Sequence, residues 1–385
     1  MLKNFSLYSI SALLEKGLML IIFFLLSINL EPQNYGEFVF FLSISAICYA
    51  LQQFGDVIYG LKNCTPENHS KPINDIFVSR CINTVIITVI VILIYPYHEY
   101  TLVSFIIILM LLECLNLDFL YRSFDYYKAL IVSKFGLFIL VSLIAYKSSE
   151  INIIELILMY LILFKTFQVF VLLLSFFRKI HLNDISLPSK QFYHSAIPMG
   201  ISMIALTLYY HSDKILIKFY LGSEQLAVYD FALRLYAIPM FLNSLFWQFF
   251  APKLKKNRPK FYKYGLYLIM IMPVSYLLLL NLEMLNSSEL FSYELSSQVI
   301  FLILVTLLNT IICSPLLVLG EERLHAKASM IAVMVNMLIN ILLLPIYGIS
   351  IAVFSTVAAE ATILIVVLAR AQLYQHERKI FLRRK

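Results

Sequence analysis

The sequence predicts an all-α integral membrane protein of about twelve transmembrane helices, arranged as two related six-helix halves. Three observations predict it. Hydrophobic residues make up 61% of the chain and charged residues only 14%, where a soluble domain carries about 25% charged residues. The apolar excess is spread over all 385 residues in runs that match the roughly 20 residues of a bilayer crossing. Basic residues collect in alternate loops, the pattern of cytoplasmic membrane loops. No soluble catalytic domain of about 100–150 residues fits between the runs. The runs are continuous rather than alternating, which excludes a β-barrel, and a lipid-buried backbone must then be helical.

In chain order the predicted crossings are 8–29, 37–61, 76–96, 101–121, 126–146, 151–177, 193–217, 225–251, 261–282, 297–320, 326–345 and 348–372. The first run is too long for a cleavable signal, and no small-residue cleavage site follows it. Loops expected on one side carry Lys62, Lys71, Arg122, Lys128, Arg178, Lys179, Lys190 and the cluster KLKKNRPKFYK (253–263), with Arg323, Lys327 and the tail from Arg378 to Lys385. Loops expected on the other side read EPQNYGE (31–37), PYHEY (96–100), KSSE (147–150), GSEQ (222–225) and LEMLNSSELFSYELSS (282–297), with Lys147 their one basic residue. This segregation predicts both termini in the cytoplasm. The basic cluster at 253–263 is a topology signal that attracts anionic lipid; a nucleic-acid partner is not expected.

The widest hydrophilic gap, RKIHLNDISLPSK (178–190), lies near the midpoint. It divides the chain into an N-terminal bundle (1–180), a cytoplasmic linker (181–192) and a C-terminal bundle with a basic tail (193–385). LEPQNYGEFVF (30–40) echoes LGSEQLAVYDF (221–231), and YRSFDYYKA (121–129) echoes GEERLHAKA (320–328), which points to a duplication with the two copies in the same orientation. Cys48, Cys64, Cys81, Cys114 and Cys313 form no CxxC pair and read as small core hydrophobes. No Walker loop, GxGxxG or metalloprotease motif is present.

Three stretches carry a family resemblance: LLEKGLMLIIFFLLSINLEPQNYGEFVFFLSI (13–44), PMGISMIALTLYYHSDKILIKFYLGSEQLAVYDFALRLYAIP (198–239) and LINILLLPIYGISIAVFSTVAAE (338–360). In order and spacing they resemble the polysaccharide-type flippases of the multidrug/oligosaccharidyl-lipid/polysaccharide exporter (MOP) superfamily, most of all the O-antigen flippases (Wzx type). Ile349, Ser350 and Ile351 depart from that pattern, which has small residues after the glycine. The resemblance implies a V-shaped pair of bundles around a central cavity. It implies transfer of an undecaprenyl-diphosphate-linked oligosaccharide from the cytoplasmic to the periplasmic leaflet, with no bond broken and no cofactor or ATP site. A polysaccharide polymerase and a chain-length regulator are the protein partners it implies.

Charges inside the membrane are the candidate functional residues, because each costs about 2.5–3.5 kcal/mol unless it meets water or a partner. Arg234, Lys16, Lys165 and Lys134 are the candidates for holding the diphosphate or sugar. Arg234 suits a phosphate by its forked guanidinium, and Asp230 lies one turn before it, so a structural staple is the competing reading. Lys16 tracks phosphate or pairs with an acid on a neighbouring helix, and Lys134 is expected to snorkel to the cytoplasmic surface. Asp213, Asp230, Glu113 and Glu360 are the candidates for gating or ion coupling: Asp213 against a basic partner or an ion, Glu113 and Glu360 as carriers of a coupled proton or as hydrogen-bonded structural acids. Most tyrosines belong to interfacial belts, with Tyr209, Tyr210 and Tyr236 placed to stack on sugars. His194 and His211 read as interfacial hydrogen-bonders.

Two other functions compete. The excess of buried acids favours a cation-coupled multidrug antiporter of the same superfamily. A polytopic polymerase or ligase is disfavoured because the longest outer loop is short, acidic and without Lys or Arg.

Overall fold

The computed structural model describes residues 2–64, 70–94, 100–116, 131–134, 154–176, 186–250, 254–281, 290–313 and 322–383. These are nearly all helical: α1 (Leu2–Asn29), α2 (Pro32–Gln53), α3 (Asp56–Asn63), α4 (Ser70–Ile94), α5 (Tyr100–Cys114), α6 (Ile154–Phe176), α7 (Lys190–Leu221), α8 (Ser223–Phe250), α9 (Leu254–Leu280), α10 (Tyr293–Ile312), α11 (Glu322–Tyr347) and α12 (Ser350–Arg383). Among the described residues, six helices are long and apolar enough to cross a membrane: Pro32–Gln53, Ser70–Ile94, Lys260–Leu280, Tyr293–Ile312, Leu324–Tyr347 and Ser350–Arg370. The chain is therefore a multi-pass membrane protein. The fifth predicted crossing (126–146) lies outside the described residues apart from a helical piece at 131–134, as do the KSSE loop and residues 282–289 of the acidic loop.

Local chemistry sets the helix ends. Pro32 opens α2, where its missing N–H is not needed. Ser189 caps α7, its hydroxyl accepting from the Phe192 N–H at 3.2 Å, and Ser292 caps α10 in the same way through the Leu295 N–H at 3.3 Å. Gly222 (φ +91°) turns the chain from α7 into α8, and Gly348 (φ +75°) turns it from α11 into α12. Pro198, Pro239 and Pro345 lie inside helices, which membrane helices tolerate when neighbours satisfy the freed carbonyls.

The second predicted crossing, 37–61, is not one helix. It breaks at Phe54 (φ +29°) and Gly55 (φ +79°), and the chain resumes as the short α3. Close approach of α7 accounts for the glycine. A Cβ on Gly55 would stand 2.4 Å from the Ala196 carbonyl oxygen and 2.7 Å from the Gly200 nitrogen, while one on Gly200 would meet Phe54 at 2.9 Å. Small residues on both sides let the backbones touch.

Two compact units divide the chain, Met1–Thr207 and Leu208–Lys385, and the division falls inside α7. In the first unit α4 packs on α2, α3 and α5, and α6 on α5. Polar bonds tie the segment before α7 to α4. Buried Asp75 accepts from the Ser189 N–H (3.0 Å), the Ser189 hydroxyl (2.9 Å) and the Tyr59 hydroxyl (3.3 Å), and Asn74 donates to the Ser186 carbonyl (3.0 Å). In the second unit α12 packs on α11 and α10, and α10 on α8 and α9. Gly265 admits the Ile311 side chain there, a Cβ at that position meeting it at 2.9 Å.

Candidate functional site

Each unit holds a buried polar cluster. In the first, five helices contribute. Asp56 is the first residue of α3, and Arg80 of α4 grips it with a fork: Nε to Oδ2 at 2.5 Å and Nη2 to Oδ1 at 3.2 Å. Both side chains are 1% exposed. Nη1 also donates to the carbonyl of Glu113 (3.1 Å) and to that of Asn116, at the C-terminal end of α5, where the helix dipole favours a cation. Arg80 thus joins the start of α3 to the end of α5. The Glu113 carboxylate takes Lys165 of α6 at 3.0 Å, Gln53 of α2 at 2.9 Å and Asn116 at 3.0 Å. Gln52 extends the network to Thr84 and the Met110 carbonyl, each at 2.7 Å. A charge removed from water is tolerated only when paired and hydrogen-bonded, and this network meets that requirement.

The second cluster is built on the α7–α8 hairpin. Asp230 is fully buried and lies between two cations, Lys214 (2.5 Å) and Arg234 (3.0 Å). The Arg234 side chain keeps 29% of its surface exposed. Asp213, one residue before Lys214, does not pair with it. Its Oδ2 accepts from the hydroxyls of Tyr229 and Thr356, both at 2.9 Å, and its Oδ1 from the Asn340 amide at 2.7 Å. Asn336 lies one turn before Asn340 and donates to Ser355 at 3.2 Å. One turn before Asp213 on α7, Tyr209 donates to Glu360 of α12 at 2.9 Å, and Asn309 of α10 donates to the same carboxylate. Among the described residues, neither Asp213 nor Glu360 is paired with a cation. Two buried carboxylates, one turn apart along α7 and α12, are held by hydroxyls and amides alone.

The residues read from the sequence thus separate into groups. Glu113 and Lys165 come together, as do Asp230 and Arg234. Lys16 is exposed on α1 and, among the described residues, makes no ion pair. Lys134 is 3% exposed and so is enclosed by protein; the snorkelling expected of it does not fit that burial. Tyr209 binds an acid rather than standing open, and Tyr236 bonds Thr306 at 3.0 Å, while Tyr210 is exposed. Two cations central to the clusters, Arg80 and Lys214, escaped the sequence reading as site residues. Arg80 lies four residues into the third predicted crossing, a depth that marks it as an intramembrane charge.

No protein-family model matches the chain, and no curated protein matches it. Solved structures do. The chain is similar to the lipid II flippase MurJ in an inward closed conformation, with a TM-score of 0.64 over 95% of this chain and 87% of that chain. It is similar to a MATE protein in the bent conformation, at 0.55 over 98% and 96% of the two chains. It is also similar to an outward-facing multidrug resistance MATE family transporter of the MOP superfamily, at 0.53 over 97% and 93%. Identity is 12% in each case, so what is shared is the fold.

Proposed function

We propose that this chain is a MOP-type flippase that carries an undecaprenyl-diphosphate-linked oligosaccharide, an O-antigen or other surface-polysaccharide repeat unit, from the cytoplasmic to the periplasmic leaflet of the inner membrane. One observation carries the reading: on the α7–α8 hairpin two cations, Lys214 and Arg234, converge on the single buried carboxylate of Asp230, with Arg234 part exposed. A guanidinium beside an ammonium is the chemistry that takes a diphosphate, and two cations on one carboxylate leave a positive charge that an anion can offset. Fold likeness to a structure described as a lipid II flippase supports the substrate class. Arg234, Lys16, Lys165 and Lys134 are the proposed contacts to the head group. The proposal includes twelve crossings in two six-helix bundles (1–180 and 193–385, joined at 181–192) around a central cavity, cytoplasmic termini, anionic lipid at the basic loops, and a polymerase and chain-length regulator as partners. Nothing in this transfer requires a bond to break; the protein acts by alternating access.

Ion coupling belongs to Asp213 and Glu360. Each carboxylate is held by hydroxyls and amides and, among the described residues, by no base, so each is suited to exchange a proton or a sodium ion as the protein changes state. Asp230 and Glu113, each bound to a base, act as gates that release a cation to the substrate. The same two unpaired carboxylates favour a second reading, a cation-coupled multidrug antiporter, and the likeness to MATE structures supports that as well.

Proteoliposomes separate the two readings. The full chain is reconstituted with a fluorescent undecaprenyl-diphosphate oligosaccharide, and accessibility of the sugar to an external glycosidase is followed. Exposure of inner-leaflet substrate at a protein-dependent rate supports the flippase. Efflux of cationic dyes against a sodium or proton gradient, with no movement of the lipid-linked sugar, replaces it with the antiporter.

A further inference from the structure

His211 has no place in the function just described, yet the hairpin brings it to the cation cluster. The Lys214–Asp230 bond at 2.5 Å sets the register of α7 against α8. His211 lies three residues before Lys214, and Arg234 four residues after Asp230. In an antiparallel pair both therefore stand one turn further from the Gly222 turn, at the same level on facing helices. Lys214, Arg234 and Asp230 are the charged groups close enough to act on the imidazole. The ring is half-buried, and its Nδ1 is enclosed and makes no hydrogen bond among the described residues. A buried polar nitrogen left without a partner costs about 1–3 kcal/mol, which a turn of the half-buried ring toward a ligand would relieve.

We propose that His211 is a further binding residue for the phosphate head group, donating an imidazole N–H to a phosphate oxygen held between Lys214 and Arg234. This rests on the flippase reading and deepens it by naming the third donor of the site. An anion at this level meets a forked guanidinium from α8 and an imidazole from α7, with the Lys214 ammonium beneath them. Two faces of the head group are then gripped at once, which fixes a diphosphate more firmly than a single phosphate.

The test measures binding of undecaprenyl diphosphate to the full chain in detergent micelles, with undecaprenol and inorganic pyrophosphate as further probes. His211→Phe keeps the ring and removes the donor; His211→Gln keeps a donor. His211→Leu replaces the phenylalanine variant if that one does not fold. The expected result is about tenfold weaker binding of undecaprenyl diphosphate to His211→Phe, with His211→Gln within about threefold of the parent and undecaprenol binding unchanged. Competition by millimolar pyrophosphate that weakens with His211→Phe supports recognition of the diphosphate itself, and absence of any competition overturns it. Equal binding to parent and His211→Phe overturns the assignment, as does an equal loss for undecaprenol. Arg234→Gln separates the two levels. If it weakens lipid diphosphate binding and His211→Phe does not, the flippase reading stands and the role of His211 falls. If the parent binds no lipid diphosphate, both fall.

Discussion

Replacing Asp230 by Asn removes one charge and leaves the side chain's size unchanged. Asp230 is fully buried and Lys214 is 9% exposed, so the substitution leaves an ammonium enclosed with no counter-charge at hydrogen-bond distance. Breaking a buried pair in this way costs about 3–5 kcal/mol, or roughly two to three and a half powers of ten in the folding equilibrium. Removing the stranded cation as well, in Asp230→Asn with Lys214→Met, should recover most of that loss, because a well-packed apolar replacement for an ion pair is nearly neutral. Trp247 on α8 is the one tryptophan of the chain and reports unfolding by its fluorescence. The measurement is denaturant unfolding in mixed micelles for the parent, the single and the double variant. A loss under about 1 kcal/mol in the single variant, or no recovery in the double, refutes the view that Asp230 is the counter-charge holding two cations in the second unit.

Further outcomes follow from the same geometry. Gly55→Ala should cost at least about 2 kcal/mol, since it forces a left-handed residue and a 2.4 Å approach to the Ala196 carbonyl; unfolding midpoints check it. Arg80→Lys should destabilise by about 2 kcal/mol or more, because an ammonium cannot hold both Asp56 oxygens and two carbonyls at once, and the same assay reads it. Asp213→Asn should leave the fold intact and abolish the dependence of transport on a sodium or proton gradient, measured as glycosidase accessibility with and without the gradient. Arg234→Ala and Lys16→Ala should each impair surface glycan display at normal protein levels. Arg234→Lys is expected to retain partial function if charge suffices and little if the fork is needed, as glycan immunoblots of complemented deletion strains will show.

What was legible in the sequence was local or periodic. Long apolar runs placed helices close to where they lie, and Asp230 with Arg234, one turn apart, could be paired from spacing alone. What was hidden depends on how separate helices are aligned. Glu113 and Lys165 were each visible as intramembrane charges, but they are 52 residues apart and only the packing of α5 on α6 joins them. Lys214 adjoins Asp213 in sequence, yet its partner is Asp230, because successive helical residues point in different directions and the α7–α8 register selects the contact. Arg80 lies 24 residues from Asp56, with no acid one turn away to advertise it. The break at Phe54–Gly55 sits in Gln52-Gln53-Phe54-Gly55-Asp56, a polar interruption that a continuous crossing drawn over 37–61 passes across, and only the approach of α7 shows why the chain must turn there.

The bonds from Asp75 and Asn74 to Ser189 and Ser186 bear on how the chain is made. A growing polypeptide emerges N-terminus first, so α4 has left the ribosome more than ninety residues before Ser189 does. The acceptor that anchors the start of α7 is therefore synthesised ahead of the segment that needs it. Biogenesis can then begin the seventh helix on a surface already in place, and the earlier part of the protein acts as a template for the entry of the later part.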